Sequence, residues 1–206
     1  MVPVSAAASR PPGDPGTCRL LAMVGRSEVE RARLRQAYRS VSDRYDDRFQ
    51  LDYDGWWRDP EILMTLGPLL AEPFTSSAPT VVLGPSASGY LLGPLAALAL
   101  DVGFVAVTKD PGTGIDSDAW RVRTTPPDYR DRHLQLGFRR RLVTSADRVV
   151  AVDDVVDTGS QLLVVKALVE DAGATWLGAS VLIDNLGHAQ RRRQLNLHAV
   201  LHIRDL

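Results

Sequence analysis

The stretch Val149-Val150-Ala151-Val152-Asp153-Asp154-Val155-Val156-Asp157-Thr158-Gly159-Ser160 constrains this chain more than any other part of it. Its opening apolar run reads as a strand buried on both faces. Two adjacent carboxylates, Asp153 and Asp154, end that run. A turn carrying a hydroxyl and a glycine follows, and Gln161 to Val169 then reads as a helix. A buried strand that feeds such a turn at a helix N-terminus makes an anion site of phosphate size. The paired aspartates would repel a bare phosphate. They suit a ligand that also carries a diol and a metal ion. Ordinary capping of a strand–turn–helix accounts for one aspartate, and here Asp153, Asp154 and Asp157 make three.

Composition narrows the class. A chain of 206 residues with 45% hydrophobic and 24% charged residues has the prior of one globular domain. The formal charge of -1 gives no basic field for nucleic acid, so no nucleic-acid partner is expected. No apolar run is long enough to span a bilayer, so no membrane partner is expected either. The single cysteine, Cys18, has no intramolecular partner, which fits a reducing cytoplasm. The start is rich in Ala, Pro, Ser and Gly and lacks the basic and apolar regions of a signal peptide. Residues 1–20 are expected to be a disordered lead-in.

Along the chain, Ser27 to Glu30 forms a capping-box pattern opening a charged helix. Leu34, Tyr38, Val41 and Tyr45 follow at helical spacing. Asp59-Pro60 reads as an N-cap with proline at the first helical position, and Pro68 is expected to end or kink the helix that follows. Trp56 and Trp57 precede it, at least one of them as core filling. Thr80–Leu83 reads as a strand, Gly84–Gly89 as a loop, Tyr90–Leu100 as a helix and Val102–Val107 as the next strand, which is a βαβ unit. From Lys109 to Arg132 no periodicity is sustained. That segment, with Lys109, Arg121, Arg123, Arg130 and Arg132, is expected to be a mobile lid. A strand over 133–138 returns to the sheet. Two more strands lie over 175–184 and 199–203, with Arg191-Arg192-Arg193 on a short helix or loop between them.

The run VVAVDDVVDTGSQ resembles the diphosphate-sugar signature of the type I phosphoribosyltransferases, in which strand, acid pair and Thr/Gly loop appear in this order. Overall the chain is most similar to adenine phosphoribosyltransferase-like proteins. Val81 to Leu206 matches their catalytic core. Gly55 to Leu70, with Trp57-Arg58-Asp59, is similar to their hood. The resemblance implies an α/β fold with a central, mostly parallel sheet flanked by helices and a small N-terminal hood. Residues 21–75 would form the N-terminal helix and hood, and 76–206 the core.

The resemblance also implies an activity. It is transfer of the phosphoribosyl group of 5-phosphoribosyl-1-diphosphate (PRPP) to a purine or purine-like base, with release of diphosphate and with Mg²⁺ as cofactor. It further implies a homodimer. Asp153 and Asp154 would meet the ribose diol and the metal, largely through water, and with Asp157 would form the catalytic set. Asp157, Thr158, Gly159, Ser160 and Gln161 would hold the 5-phosphate. Ser86, Ala87, Ser88, Gly89, Lys109, Arg130 and Arg132 would hold the diphosphate. Trp57, Arg58, Asp157 and Asp184 would face the base. Gln161 stands where the family has a small hydroxyl residue, and Ser86 and Ser88 where the adenine enzymes have an acid and an arginine. Asp157 follows the 6-oxopurine pattern while the longer pattern follows the adenine enzymes, so the base stays open. The alternative is a non-catalytic regulator that senses PRPP or a nucleotide on the same fold.

Overall fold

In the computed structural model, the structure describes residues 27–41, 50–52, 54–111, 119–124 and 134–206. The lead-in over 1–20, Cys18, Tyr45, Arg130 and Arg132 lie outside them. A helix over 27–37 (α1) leads into a two-stranded antiparallel ribbon, β1 (Arg39–Val41) and β2 (Gln50–Asp52). Helical spacing therefore overreads this segment. The helix stops before Tyr38, and Val41 belongs to a strand.

The short α2 (Asp54–Arg58) and then α3 (Pro60–Ala71) follow. The Asp59 carboxylate accepts from the N–H groups of Glu61 at 2.9 Å and Ile62 at 3.2 Å, so it caps α3 as its sequence predicts. Pro68 does not end α3, which continues to Ala71. The residues around it, Leu66, Gly67, Leu69 and Leu70, are all buried. Burying large apolar side chains is worth about 1.5–3 kcal/mol each, and together they outweigh the ~3 kcal/mol cost of an interior proline.

The core sheet has seven strands in the order β5-β6-β4-β3-β7-β8-β9. They are β3 (Val81–Pro85), β4 (Gly103–Lys109), β5 (Trp120–Thr124), β6 (Gln135–Arg139), β7 (Arg148–Val156), β8 (Thr175–Asp184) and β9 (Leu197–His202). The run β4-β3-β7-β8-β9 is parallel throughout, while β6 lies antiparallel to both β4 and β5. Parallel neighbours require crossover connections, which α4 (Gly89–Leu100), α5 (Ser160–Asp171) and α6 (Ala189–Leu195) provide. Each face of the sheet carries its own core. One joins Val149, Ala151 and Val181 to Leu162, Val165 and Leu168 of α5. The other joins Val82, Val150 and Val152 to Leu34, Trp56 and the inner faces of α3 and α4.

The segment between Lys109 and Arg132 is not without structure. It contains β5, paired residue by residue to β6 from Trp120↔Arg139 to Thr124↔Gln135. Arg121 donates to the Asp171 carbonyl. Arg123 forms a fork to the Asp171 carboxylate at 2.5 and 2.8 Å. Asp171 is the last residue of α5, about 16 Å from its first residue by helix rise. These two arginines therefore hold the sheet edge to the far end of α5, which corrects their place in a lid.

Helices α3 and α4 meet closely at Gly67. A Cβ on Gly67 would overlap the Leu95 carbonyl oxygen and lie 2.7 Å from its carbon, so only glycine lets the two helices meet there. Gly67→Ala is expected to destabilise the fold by about 1–3 kcal/mol in urea unfolding, through overpacking against backbone that has nowhere to go. Gly103→Ala, whose Cβ would meet nothing within 4 Å, is the control and should change stability by less than about 0.5 kcal/mol.

Candidate active site

The parallel strands deliver their carboxyl ends to one edge of the sheet, where ligands of open α/β folds bind. β7 is paired to β3 on one side and β8 on the other, with Leu83 beside Ala151 and Val181 beside Asp153. The Ser86–Gly89 loop, Lys109, Asp153 to Gln161 and Asp184-Asn185 all follow from this edge. The Ser86–Gly89 loop packs directly on β7. A Cβ on Gly89 would lie 2.9 Å from the Val152 carbonyl, and one on Gly84 would overlap the Gly89 carbonyl.

The loop after β3 is held by its own hydroxyl. Ser86 Oγ accepts from the Lys109 N–H at 3.1 Å, and Ser86 N–H donates to the Val107 carbonyl at 3.0 Å. Tyr90 donates to Thr108 Oγ1 at 2.9 Å. Ser86 therefore joins the end of β3 to the end of β4. Ala87 is exposed, Ser88 and Lys109 are half-buried, and the Ser86–Ala87 peptide bond is cis.

Asp153 is buried, and both its oxygens are occupied. One accepts from the Asp154 N–H at 3.1 Å, the other from Gln161 Nε2 at 2.8 Å. Burial, reinforced by the neighbouring Asp154 charge, pushes the Asp153 carboxyl up to about 8. Gln161 was expected on the phosphate. Its amide instead reaches back to the acid pair, because Asp153 shares the β7 face on which α5 packs. In the turn, Gly159 takes the left-handed conformation (φ 74°) that favours glycine. The Thr158 and Ser160 hydroxyls lie 3.2 Å apart, and α5 begins at Ser160.

At the other end of the site, Asn185 Nδ2 donates to Asp157 Oδ1 at 3.1 Å. Asp184 is not free to read a ligand. Arg192 donates to its two oxygens at 2.8 and 3.1 Å, and the Leu186 N–H adds a bond of 2.8 Å. Arg192 also donates to the Leu186 carbonyl at 2.6 Å, which folds the chain after β8 into a clasp. The expected base contact from Asp184 is thus corrected to a structural one, and Asn185 takes the exposed position beside Asp157. Sequence reasoning missed this exchange. The signal was the arginine run that opens seven residues beyond Asp184, on the short helix that follows.

Trp56 is the fully buried member of its pair. Trp57 is half-buried at the rim of the α3–α4 core, and Arg58 is exposed. A cavity of about 520 Å³ lies between α1 and α3, lined by Glu30, Arg33, Met64 and Glu72 among others, and takes in none of the strand-end residues.

A buried acid and its half-buried neighbour lie beside a phosphate-sized turn on the carboxyl edge of a parallel sheet, an arrangement suited to a sugar phosphate. A family model for the phosphoribosyl transferase domain matches residues 58–197, and the chain belongs to that family. It is 30% identical over 172 residues to the adenine phosphoribosyltransferase of Acidovorax sp. (strain JS42), covering 80% of this chain and 89% of that one. It is 29% identical over 126 residues to the xanthine phosphoribosyltransferase of Brevibacillus brevis, covering 61% and 64%. The crystal structure of the adenine phosphoribosyltransferase from Rhodothermus marinus superposes with a TM-score of 0.72 at 29% identity, over 85% of this chain and 99% of that one. The sheet and its flanking helices are those expected from the resemblance. Among the described residues no helix is long and apolar enough to cross a membrane.

The raised Asp153 has a consequence for stability. In the unfolded chain its carboxyl ionises near pH ~4. Folded, it holds its proton to about 8. Its contribution to stability is therefore complete below about pH 4 and is lost as pH rises from there through about 8. Asp153→Asn removes this loss. Melting of ligand-free wild type and variant from about pH 5 to pH 9 should show the variant gaining relative to wild type up to about pH 8 and no further. A constant gap would mean that Asp153 is ionised throughout.

Proposed function

We propose that this protein is a cytoplasmic, homodimeric phosphoribosyltransferase that joins PRPP to a purine or purine-like base, releasing diphosphate, with Mg²⁺ as cofactor. The observation that carries the reading is the meeting, at one sheet edge, of an acid pair, a hydroxyl-bearing turn at a helix N-terminus and a tight loop tied to Lys109. The family match makes the chain a phosphoribosyltransferase. The names of its relatives, on adenine and on xanthine, support a purine.

The donor set fits the metal. Mg²⁺ favours oxygen and keeps several waters, binding through one or two carboxylates and substrate phosphates. Asp153 and Asp154 supply such carboxylates, and among the described residues no cluster of three or more His, Cys, Asp or Glu forms an all-protein cage. Bound there with the diphosphate, Mg²⁺ would neutralise the leaving group and favour the ionised acids.

The chain's own residues do the rest. Asp153 and Asp154 accept from the ribose hydroxyls, and their charge favours an oxocarbenium-like sugar over its neutral ground state. Gln161 orients Asp153. Thr158, Gly159 and Ser160 hold the 5-phosphate with hydroxyls and N–H groups. Ser86 to Gly89 and Lys109 receive the diphosphate, with Arg130 and Arg132 as further cations. Asp157, oriented by Asn185, faces the base and takes or returns its ring proton, while Trp57 and Arg58 cover it. The dimer reading is supported by α4, which carries no charged side chain from Gly89 to Leu100 and leaves Leu91 and Leu98 59% and 78% exposed. Exposed apolar surface of this kind marks contacts between chains.

Incubation with PRPP, Mg²⁺ and a pool of bases, with the nucleotide identified by mass, tests the activity directly. The double variant Asp153→Asn, Asp154→Asn should fold and lose turnover. Activity near that of wild type would overturn the enzyme reading. Asp157→Asn keeps the side chain's size and loses its basicity, so PRPP affinity should hold while turnover falls by roughly 10²–10⁴. Sedimentation should give a dimer, and Leu98→Glu should shift it toward monomer.

A further inference from the structure

Arg191 is the one member of the arginine run that turns toward the phosphate turn. Its Nη1 donates to the Thr158 carbonyl at 2.6 Å. Arg31, Arg33, Arg123 and Arg192 each pair with a carboxylate. Among the described residues Arg191 pairs with none, and it is half-buried. The turn beside it is short of positive charge. Asp157 is the sole charged residue from Asp157 to Ser160, and it is an acid. Gln161, the next side chain, is turned away onto Asp153. A dianion placed there meets hydroxyls and helix-end N–H groups, with a carboxylate nearby and no cation from the turn itself.

We infer that Arg191 is the positioning residue of the 5-phosphate turn: it fixes the Thr158–Gly159 peptide plane and sets the compensating positive charge behind it. A trans peptide is planar, so its carbonyl and the following N–H point in opposite directions. Holding the Thr158 oxygen on the α6 side therefore aims the Gly159 N–H to the other side. Gly159 has no side chain to resist rotation and sits at positive φ, so this peptide is the one in the turn most in need of an external hold. A charged donor on the carbonyl also polarises the peptide and makes its N–H a stronger donor. Arg192, one residue on, anchors α6 to Asp184 and so fixes where Arg191 stands. The residue is suited to the task, since a guanidinium holds a carbonyl and keeps four further N–H donors in a rigid fork.

The inference rests on the phosphoribosyltransferase reading, and the test separates the two. Calorimetry measures binding of ribose 5-phosphate, of PRPP with Mg²⁺, and of diphosphate with Mg²⁺, to wild type, Arg191→Gln and Arg191→Lys. Arg191→Gln keeps a donor for the carbonyl and loses the charge. It should weaken ribose 5-phosphate and PRPP by about tenfold or more, flatten the salt dependence of both, and leave diphosphate binding and melting temperature unchanged. Arg191→Lys should recover part of the loss. In turnover, KM for PRPP should rise while kcat holds. Ribose 5-phosphate binding to Arg191→Gln as tight as to wild type would overturn the inference. So would equal loss of ribose 5-phosphate and diphosphate, which marks a general disturbance of the site. Wild type that binds neither PRPP nor ribose 5-phosphate brings down the function itself, and this role with it.

Discussion

The site depends on β7 being held as the middle of a parallel sheet. Its backbone is paired to β3 and β8, and its side chains from Val149 to Val152 are buried on both faces. No polar residue interrupts that length. Asp153 and Asp154 come just past the last rung to β3, while pairing to β8 runs on to Val156. The neighbouring strands end at nearly the same level, so their loops converge on the two acids. Gly89 completes the approach by letting the loop after β3 lie against the Val152 carbonyl.

This placement sets a conflict of charge. Asp153 shares the face on which α5 packs, so it is drawn inward and kept neutral in the ligand-free fold. The ligand proposed for it, PRPP, is itself anionic. A neutral acid beside an anion avoids repulsion until a cation arrives with the substrate and makes ionisation favourable. Gln161 suits that cycle. A side-chain amide donates to either state of the carboxyl, where a lysine would force the charge and a leucine would leave the oxygen without a partner. On the proposed reading the same residue does not also serve the phosphate, and that task falls to Thr158, Gly159 and Ser160.

Much of the fold was legible because period and punctuation agreed. Strand β7, its turn and α5 were readable from one continuous stretch, and the Asp59-Pro60 cap from a dipeptide. The failures share a physical cause, which is that long-range contact overrode local pattern. Pro68 sits inside α3 because its neighbours are buried against the sheet. β5 carries no apolar alternation because it is an edge strand with three largely exposed residues, and only its pairing to β6 and its arginines on Asp171 define it. In the site, residue types were legible and partners were not. Asp184 and Gln161 are polar groups at strand and helix ends, where a ligand is as good a guess as a neighbour. The neighbours, Arg192 and Asp153, lie eight residues away on elements whose relative angle no local rule supplies.

The base end shows what that geometry decides. With Asp184 committed to Arg192, the group beside Asp157 is the amide of Asn185. That amide gives one of its two N–H groups to Asp157, which leaves it a second N–H and its oxygen. On the proposed reading a carboxylate at Asp157 accepts a ring N–H of the base, while Asn185 can meet an exocyclic amine with its oxygen or a carbonyl with its second N–H. The edge as it stands therefore admits either substituent, and the acid in the turn, which follows the pattern of enzymes for 6-oxopurines, does not decide between them alone. Asn185→Lys, which leaves donors only at that position, would turn the same edge toward a carbonyl. A base panel run on this variant and on wild type reads the change as a shift in kcat/KM from amino- toward oxo-substituted bases, and an unchanged ranking would place base selection elsewhere in the hood.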